Sequence, residues 1–377
     1  MPIVGRIRAL DGLRGLAALV VLLHHTLLIF PALAYPYVVE ADASATTDPW
    51  SWALLYTPVH ILWEGQSAVY LFFVLSGIVL TLPVLSRGDA FDWRAYFPQR
   101  LLRLYLPVWG AVLLGVLVLV LVPRSAAMSS LWLQSRAVSP DPWAIVLDAT
   151  LLVAPGGVVS PLWSLQWEIL FSLLLPLYVL AAVRLRRAAP LLVVFALAMV
   201  VIGHQIGIGA VRLLPMFLLG VVVATRGSGL ARRSVGGAPG VLLVVGGGLL
   251  LLAPWLLRPV GLAPTGWVDA LSVLGALMLV CSALVVAWLK RLLSTRLVQW
   301  LGAISFSLYL VHEPVVISLA FLLGDQRLWL AAPLGIGASI ALAVIFRRLI
   351  EVPSHRLARW VGAGVRDRAV RRAALPG

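Results

Sequence analysis

Residues 99–122 read QRLLRLYLPVWGAVLLGVLVLVLV, an apolar run whose only charges are Arg100 and Arg103 at its start. A helix needs roughly 20 mostly apolar residues to cross about 30 Å of hydrocarbon. The run has this length, and its arginines stand where basic residues are expected at the edge of a membrane span. The stretch therefore predicts a transmembrane helix.

The same pattern fills the rest of the 377-residue chain, which is 62% hydrophobic and 12% charged, with a mean hydropathy of +1.02. Soluble domains are about 45–50% apolar and about 25% charged. The composition therefore excludes an ordinary cytosolic enzyme, a disordered chain and a secreted disulfide scaffold. We predict an all-α fold, a polytopic membrane helix bundle. About ten transmembrane helices are expected, over residues 14–34, 61–83, 99–122, 162–183, 190–207, 209–225, 240–257, 268–289, 297–322 and 329–349.

Arginine placement predicts the orientation of the bundle. Of the 29 Lys and Arg, 24 fall on one side of the predicted topology and four in loops on the other. Basic loops stay in the cytoplasm, so we expect both termini there, in a multi-pass protein of the bacterial cytoplasmic membrane. Residues 1–355 are predicted to form the transmembrane domain and residues 356–377 a basic cytoplasmic tail. The net charge of +14 then reflects contact with a lipid bilayer and not with nucleic acid.

No metal or redox site is predicted. The single cysteine, Cys281, excludes an internal disulfide and a cysteine metal cluster. The sequence has no metal-spaced His/Asp cluster, no Walker phosphate loop and no dinucleotide fingerprint.

The first span holds the ionisable residues Asp11, Arg14 and His25. A charge at the bilayer centre costs about 2.5–3.5 kcal/mol, so such residues are candidates for function. Arg14 and His25 are eleven residues apart, about three helical turns, which places them on one face roughly 16 Å apart. Asp11 precedes Arg14 by three residues and can pair with it. The alternatives are a buried structural histidine and, for the whole run, a signal peptide, which the charges argue against.

Arg100 and Arg103 lie one turn apart at the predicted cytoplasmic mouth of the third span. Paired guanidinium groups suit phosphate, although two arginines that snorkel to the interface fit the spacing equally well. Ser76 of the second span is a further candidate for contacting the same ligand. Its Ser-Gly pair with Gly77 also suits close helix packing.

Further polar residues are predicted in the outer half of the membrane. Glu168 lies about 9 Å inside the outer face, counted along its helix, and His312 and Glu313 lie in the outer half of the ninth span. Ser305 and Tyr309 belong to the same span as that pair. The alternatives are an ion pair or helix cap for Glu168 and a buried polar clamp for His312 and Glu313.

Arginines at the inner face and a histidine near the middle of the membrane suit a ligand with a phosphate-rich head and a long reach. Acyl-CoA has this shape, with a thioester at the tip of an extended arm. A neutral histidine in an apolar cavity can take the proton of an attacking hydroxyl. Nearby hydrogen-bond donors then stabilise the oxyanion that forms on the thioester carbonyl.

Five segments of the chain resemble acyltransferase family 3 of the membrane-bound O-acyltransferases, in the stand-alone form. They occur in the family's order and reach across nearly all ten predicted spans. The segments are LDGLRGLAA at 10–18 with the Arg14 to His25 spacing, FFVLSG at 72–77, RLLRLYLP at 100–107, LWSLQWE at 162–168 and GAISFSLYLVH at 302–312.

This resemblance implies transfer of an acyl group, often acetyl, from cytoplasmic acyl-CoA as co-substrate to a hydroxyl of a sugar or glycan, without a metal. It implies that His25 is the catalytic base, with Arg14 in the same motif, and that Arg100 and Arg103 face the donor. Glu168 and His312 match other recurrent polar positions of the family. The resemblance leaves open an envelope glycan, such as lipopolysaccharide or polysaccharide, or a glycosylated metabolite such as a macrolide. A transporter or flippase of a glycan precursor and an inert assembly subunit are the alternatives from other classes.

Overall fold

The computed structural model of the protein describes residues 7–40, 42–139, 141–231, 234–262 and 265–373. Within those ranges the backbone forms helices and no β-strand, apart from one isolated bridge between Val235 and Val286. A helix satisfies its own backbone hydrogen bonds, as a membrane span must, because lipid hydrocarbon offers the backbone no hydrogen-bond partners. The predicted all-α fold is therefore confirmed.

The helices, numbered in chain order, are α1 (Arg8–Leu27), α2 (Pro31–Val38), α3 (Pro49–Tyr56), α4 (Gly65–Arg87), α5 (Trp93–Leu121), α6 (Leu131–Gln134), α7 (Pro142–Thr150), α8 (Leu162–Arg184), α9 (Ala189–Gln205), α10 (Gly209–Ala231), α11 (Gly237–Leu251), α12 (Ala253–Leu256), α13 (Gly266–Val285), α14 (Ala287–Leu293), α15 (Arg296–Leu323), α16 (Leu328–Phe346) and α17 (Val352–Ala373). A π-helical turn, Arg347–Glu351, joins α16 to α17.

Among the described residues, nine helices are long and apolar enough to cross a membrane. A tenth candidate is the segment that contains α11 and α12, which bends by 62° where they meet. Pro254 stands at the start of α12, where its missing N–H and its ring end the preceding helix. The prediction of about ten spans agrees with this count.

Three helix boundaries differ from the predicted spans. α1 ends at Leu27, and Pro31 begins a separate helix, because the residue before a proline disfavours helical geometry. α5 begins at Trp93, where the Asp92 carboxylate accepts the N–H groups of the first turn, as helix N-caps do. At its far end α16 continues through the π-helical turn into α17.

No helix break occurs at the predicted domain boundary after residue 355, which lies inside α17. α17 packs against α5, so closely that a side chain at Gly362 would collide with Gln99. Residues 1–6 of the predicted domain and 374–377 of the predicted tail lie outside the described residues.

We call the end of the bundle where α1 begins the inner end, because the arginine distribution predicts that it faces the cytoplasm. α1 runs from there against α15, with Gly15 meeting Gly302. A Cβ at Gly15 would lie 2.4 Å from the Gly302 nitrogen, so the two backbones touch directly. Gly77 of α4 packs in the same way on α10. Close approach at Gly77 matches the packing role expected for the Ser-Gly pair.

At the outer end, residues 123–139 and 141–161 form an outer segment, and its Ser130 and Trp132 contact α1. The buried carboxylate of Asp148 accepts the backbone N–H groups of residues 156, 157, 158 and 159. The Ser130 hydroxyl donates to the Leu28 carbonyl at 2.7 Å. This outer segment then enters the bundle, because Ser160, just before α8, reaches Glu313 in the second half of α15. α8 therefore starts deep inside the bundle and not at its surface.

Candidate active site

A polar cavity opens among α1, α4, α5, α8, α15 and the start of α17, with an empty volume of about 850 Å³. Its polar lining combines cations, carboxylates and hydroxyl groups. These side chains belong to Arg14, Ser76, Arg100, Arg103, Ser164, Glu168, Ser305, Tyr309, Glu351 and His355. The cavity therefore brings together most of the polar residues that the sequence singled out.

Arg14 lies across the contact between α1 and α15. Its Nε donates to Oγ of Ser305 at 3.0 Å, and its Nη2 donates to the Gly302 carbonyl at 3.2 Å. Asp11 stands 3.9 Å from the same guanidinium, which agrees with the expected pairing. The Arg14 side chain is still 38% exposed and lines the cavity, so it is held in place while part of it remains open to the cavity.

Arg100 and Arg103 differ in their surroundings. Arg100 pairs with Oε1 of Glu168 at 2.5 Å and donates to Oγ of Ser172 at 3.0 Å. Ser76 donates to the same Glu168 oxygen at 3.3 Å. Arg103 makes no hydrogen bond or ion pair with the part of the chain that the structure describes, although it lines the cavity. Its guanidinium is thus available to an anionic ligand.

The expected separation of Glu168 from the inner arginines is wrong. Glu168 contacts Arg100 directly. The physical reason is the deep start of α8, which carries Glu168 far inward, together with the early start of α5 at Trp93. Arg100 stands seven residues into α5, about 10 Å along its axis. The inner arginines and Glu168 form one site.

A second cavity, with an empty volume of about 1230 Å³, shares part of this wall. It adds Arg87, Arg366, Phe91 and Tyr96. Arginines outnumber carboxylates on the combined wall, which gives it a positive field suited to an anionic ligand.

His25 and His312 form a pair farther along α1 and α15. His25 Nδ1 lies 2.8 Å from His312 Nε2, and His312 is fully buried. The ring of His25 also stacks on Trp132 of the outer segment, with centroids 5.5 Å apart. His24 points elsewhere, with its Nδ1 3.0 Å from the Trp63 carbonyl.

The histidine pair does not line the cavity. Tyr309 lines the cavity, and its ring centroid is 6.0 Å from that of His312, one turn farther along α15. The Tyr309 hydroxyl is held 2.7 Å from Oγ of Ser164 and 3.1 Å from the Pro161 carbonyl. Tyr309 therefore both lines the arginine-rich cavity and neighbours the buried histidine pair.

Glu313, although adjacent to His312, faces the outer segment. Its carboxylate accepts the backbone N–H of Ser160 at 2.6 Å and the Ser160 hydroxyl at 2.5 Å, and it lies 3.5 Å from Nε of Arg136. This arrangement matches the buried clamp that was the alternative for this pair. Glu313 therefore holds the outer segment in place and does not reach the cavity.

The sequence reasoning missed three residues near the site. Glu351 and His355 line the cavity, and Glu351 accepts the Ser307 hydroxyl at 2.5 Å. The sequence feature that could have identified them is an acidic residue and a histidine four residues apart, just beyond the end of the last apolar run. No signal marked Trp132, because a loop residue acquires its contacts only in the folded chain.

Comparison with known proteins gives a consistent result. A family model described as an acyltransferase domain matches residues 7–348. The chain is 29% identical, over 397 aligned residues, to the acyltransferase MdmB of Streptomyces mycarofaciens. This alignment covers 94% of the chain and 93% of that relative. No solved structure matches the chain.

Proposed function

The chain belongs to acyltransferase family 3, whose model matches residues 7–348, and on that premise we propose that it is a membrane O-acyltransferase that uses acyl-CoA. The acyl group, acetyl in the simplest case, passes to a hydroxyl of a sugar or glycan. The observation that carries this proposal is the arginine-lined cavity that includes Tyr309, one helical turn from His312 of the His25–His312 pair.

The donor enters from the inner end in this proposal. Its phosphates bind the arginines of the two cavities, above all Arg103, which makes no hydrogen bond or close ion pair within the described chain. Arginine suits phosphate because its planar fork donates two parallel hydrogen bonds. The extended arm of CoA then covers the roughly 16 Å of α1 between Arg14 and His25, once Tyr309 moves aside.

His25 acts as the general base. It takes the proton of the acceptor hydroxyl while the oxygen attacks the thioester carbonyl, and a positioned base of this kind contributes about 10²–10⁴-fold in rate. When the tetrahedral intermediate collapses, the carbon–sulfur bond breaks and His25 returns the proton to the sulfur of CoA. Asp11 and Glu168 act through Arg14 and Arg100, which they orient.

The acceptor is a sugar hydroxyl of an envelope glycan or, as the second candidate, of a glycosylated small metabolite such as a macrolide. It approaches His25 from the side of the outer segment, where Trp132 covers the ring. We place the protein in the bacterial cytoplasmic membrane, with acyl-CoA and the bilayer as its other partners.

The test is turnover by the purified protein in lipid nanodiscs. Acetyl-CoA is supplied with a panel of lipid-linked glycans and glycosylated metabolites, and mass spectrometry detects acceptors heavier by one acyl group. An enzyme releases free CoA in step with the modified acceptor. Absence of both products across the panel, with bound acetyl-CoA left intact, would support a transporter or an inert subunit instead.

A further inference from the structure

His312 bridges His25 and the backbone of its own helix. Its Nδ1 lies 2.9 Å from the carbonyl oxygen of Leu308, and its Nε2 lies 2.8 Å from Nδ1 of His25. A carbonyl oxygen can only accept a hydrogen bond. The proton of the first contact therefore belongs to Nδ1 of His312.

The donor and acceptor of the second contact, between Nε2 of His312 and Nδ1 of His25, then follow. His312 is fully buried and no carboxylate contacts its ring within the described residues, since Glu313 is engaged by Ser160 and Arg136. An unpaired imidazolium there would be costly, so the ring is neutral and its Nε2 accepts. The donor is Nδ1 of His25, and the lone pair of His25 is therefore on Nε2.

Two features leave this lone pair available. Among the described side chains, the hydrogen-bond partner of the His25 ring is His312, at Nδ1, and the ring is only partly buried. The face of the ring rests on Trp132, which opposes rotation of the imidazole. Nε2 of His25 is thus free to accept a hydrogen bond from a ligand that binds next to the histidine pair.

From this geometry we infer that His312 is a positioning residue, which fixes the tautomer of His25 so that Nε2 is the base. The inference rests on the proposed function, because it matters only if His25 removes a proton. The hydrogen-bond partner of one imidazole nitrogen sets the protonation of the other. Without an acceptor at position 312, both tautomers of His25 are populated and the base is mispositioned in part of the molecules.

Two substitutions of similar size separate this role from mere packing. His312→Gln retains an oxygen that can accept from Nδ1 of His25, whereas His312→Leu retains volume without an acceptor. We expect His312→Leu to lower kcat by about 100-fold, within the range that a positioned base contributes, with the KM for acyl-CoA unchanged. We expect His312→Gln to recover at least tenfold of that loss, a factor worth about 1.4 kcal/mol.

The tautomer is measured independently by ¹⁵N NMR on protein labelled at its six histidines, with the His25 signals assigned by their loss in His25→Ala. We expect wild-type His25 to carry its proton on Nδ1, and His312→Leu to show a mixture. A proton on Nε2 of His25 in the wild type overturns the inference, even if His312→Leu does not fold.

The kinetic outcomes distinguish a failure of the positioning role of His312 from a failure of the proposed function. Wild-type kcat in a folded His312→Leu protein, beside an inactive His25→Ala protein, overturns the role of His312 and leaves the proposed function standing. Equal losses in His312→Leu and His312→Gln also overturn it. Activity of His25→Ala at the wild-type level refutes the proposed function itself.

Discussion

Arg14 of α1 donates to Ser305 of α15 at 3.0 Å, although 291 residues separate them in the chain. The same two helices meet again at His25 and His312. The Arg–His motif near the N-terminus and the polar column of α15 are thus two halves of one structure. Loss of the contact between Arg14 and Ser305 is therefore expected to disturb the geometry of the contact between His25 and His312.

Replacing Arg103 should weaken donor binding without destabilising the fold, because Arg103 makes no hydrogen bond or close ion pair with the described residues. A hydrogen bond to a charged group contributes about 1.5–3 kcal/mol, so we expect acyl-CoA to bind Arg103→Ala about 10- to 100-fold more weakly. Isothermal titration with CoA measures this. Arg291→Ala, an exposed arginine outside both cavities, is the matched control, and equal affinities in the two variants would exclude Arg103 from the donor site.

Replacing Arg100 should have a different effect, because Arg100 neutralises Glu168. Arg100→Ala leaves that carboxylate with one hydroxyl donor, Ser76, and we expect a loss of about 1–3 kcal/mol in stability. Adding Glu168→Gln should restore the melting temperature but not CoA binding. A double variant no more stable than Arg100→Ala would contradict this pairing.

Tyr309 lines the cavity next to His312, and the proposal makes its ring a barrier between the donor and the histidine pair. Tyr309→Ala removes this barrier, so we expect water and thioester to meet near His25 and acyl-CoA hydrolysis without acceptor to rise severalfold. Tyr309→Phe keeps the ring and serves as the control. Release of free CoA is the measurement, and unchanged hydrolysis in a folded Tyr309→Ala protein would show that donor and base meet by another route.

The buried pair of His60 and Glu64 at the outer end should make stability pH-dependent. Burial alone would raise the pKa of Glu64, but the hydrogen bond and charge of His60, with the Ser67 N–H, outweigh it and hold that pKa below its usual 4.5. A carboxyl with a lowered pKa stabilises the fold above its unfolded pKa, and this contribution is lost as pH falls through the folded value. Melting temperatures between neutral and acidic pH should therefore fall less steeply for Glu64→Gln than for the wild type. Parallel curves would assign the acid sensitivity to other groups.

Much of the fold was predictable because a membrane span depends on length and apolarity alone. The shared face of Arg14 and His25 followed from helical periodicity, and the pairing of Asp11 with Arg14 followed from their spacing. These features are local. They need no knowledge of which helices become neighbours.

The errors arose where the long outer segment controls the structure. Glu168 was placed near the outer face because α8 was assumed to begin there, whereas Ser160 anchors its start deep in the bundle. The stacking of Trp132 on His25 depends on the same segment. Such contacts join distant parts of the chain, and periodicity carries no information about them.

The most direct test is the rate of CoA release from acetyl-CoA, in the presence of an accepted acceptor, by the wild type, His25→Ala and His204→Gln in nanodiscs. His204 is the matched control, because it is a histidine near the outer end that contacts Asp269 and lies outside both cavities. The proposal predicts that His25→Ala loses about 10²–10⁴-fold in rate while it still binds CoA, and that His204→Gln stays near the wild-type rate. A folded His25→Ala protein that turns over as fast as the wild type would contradict a catalytic His25.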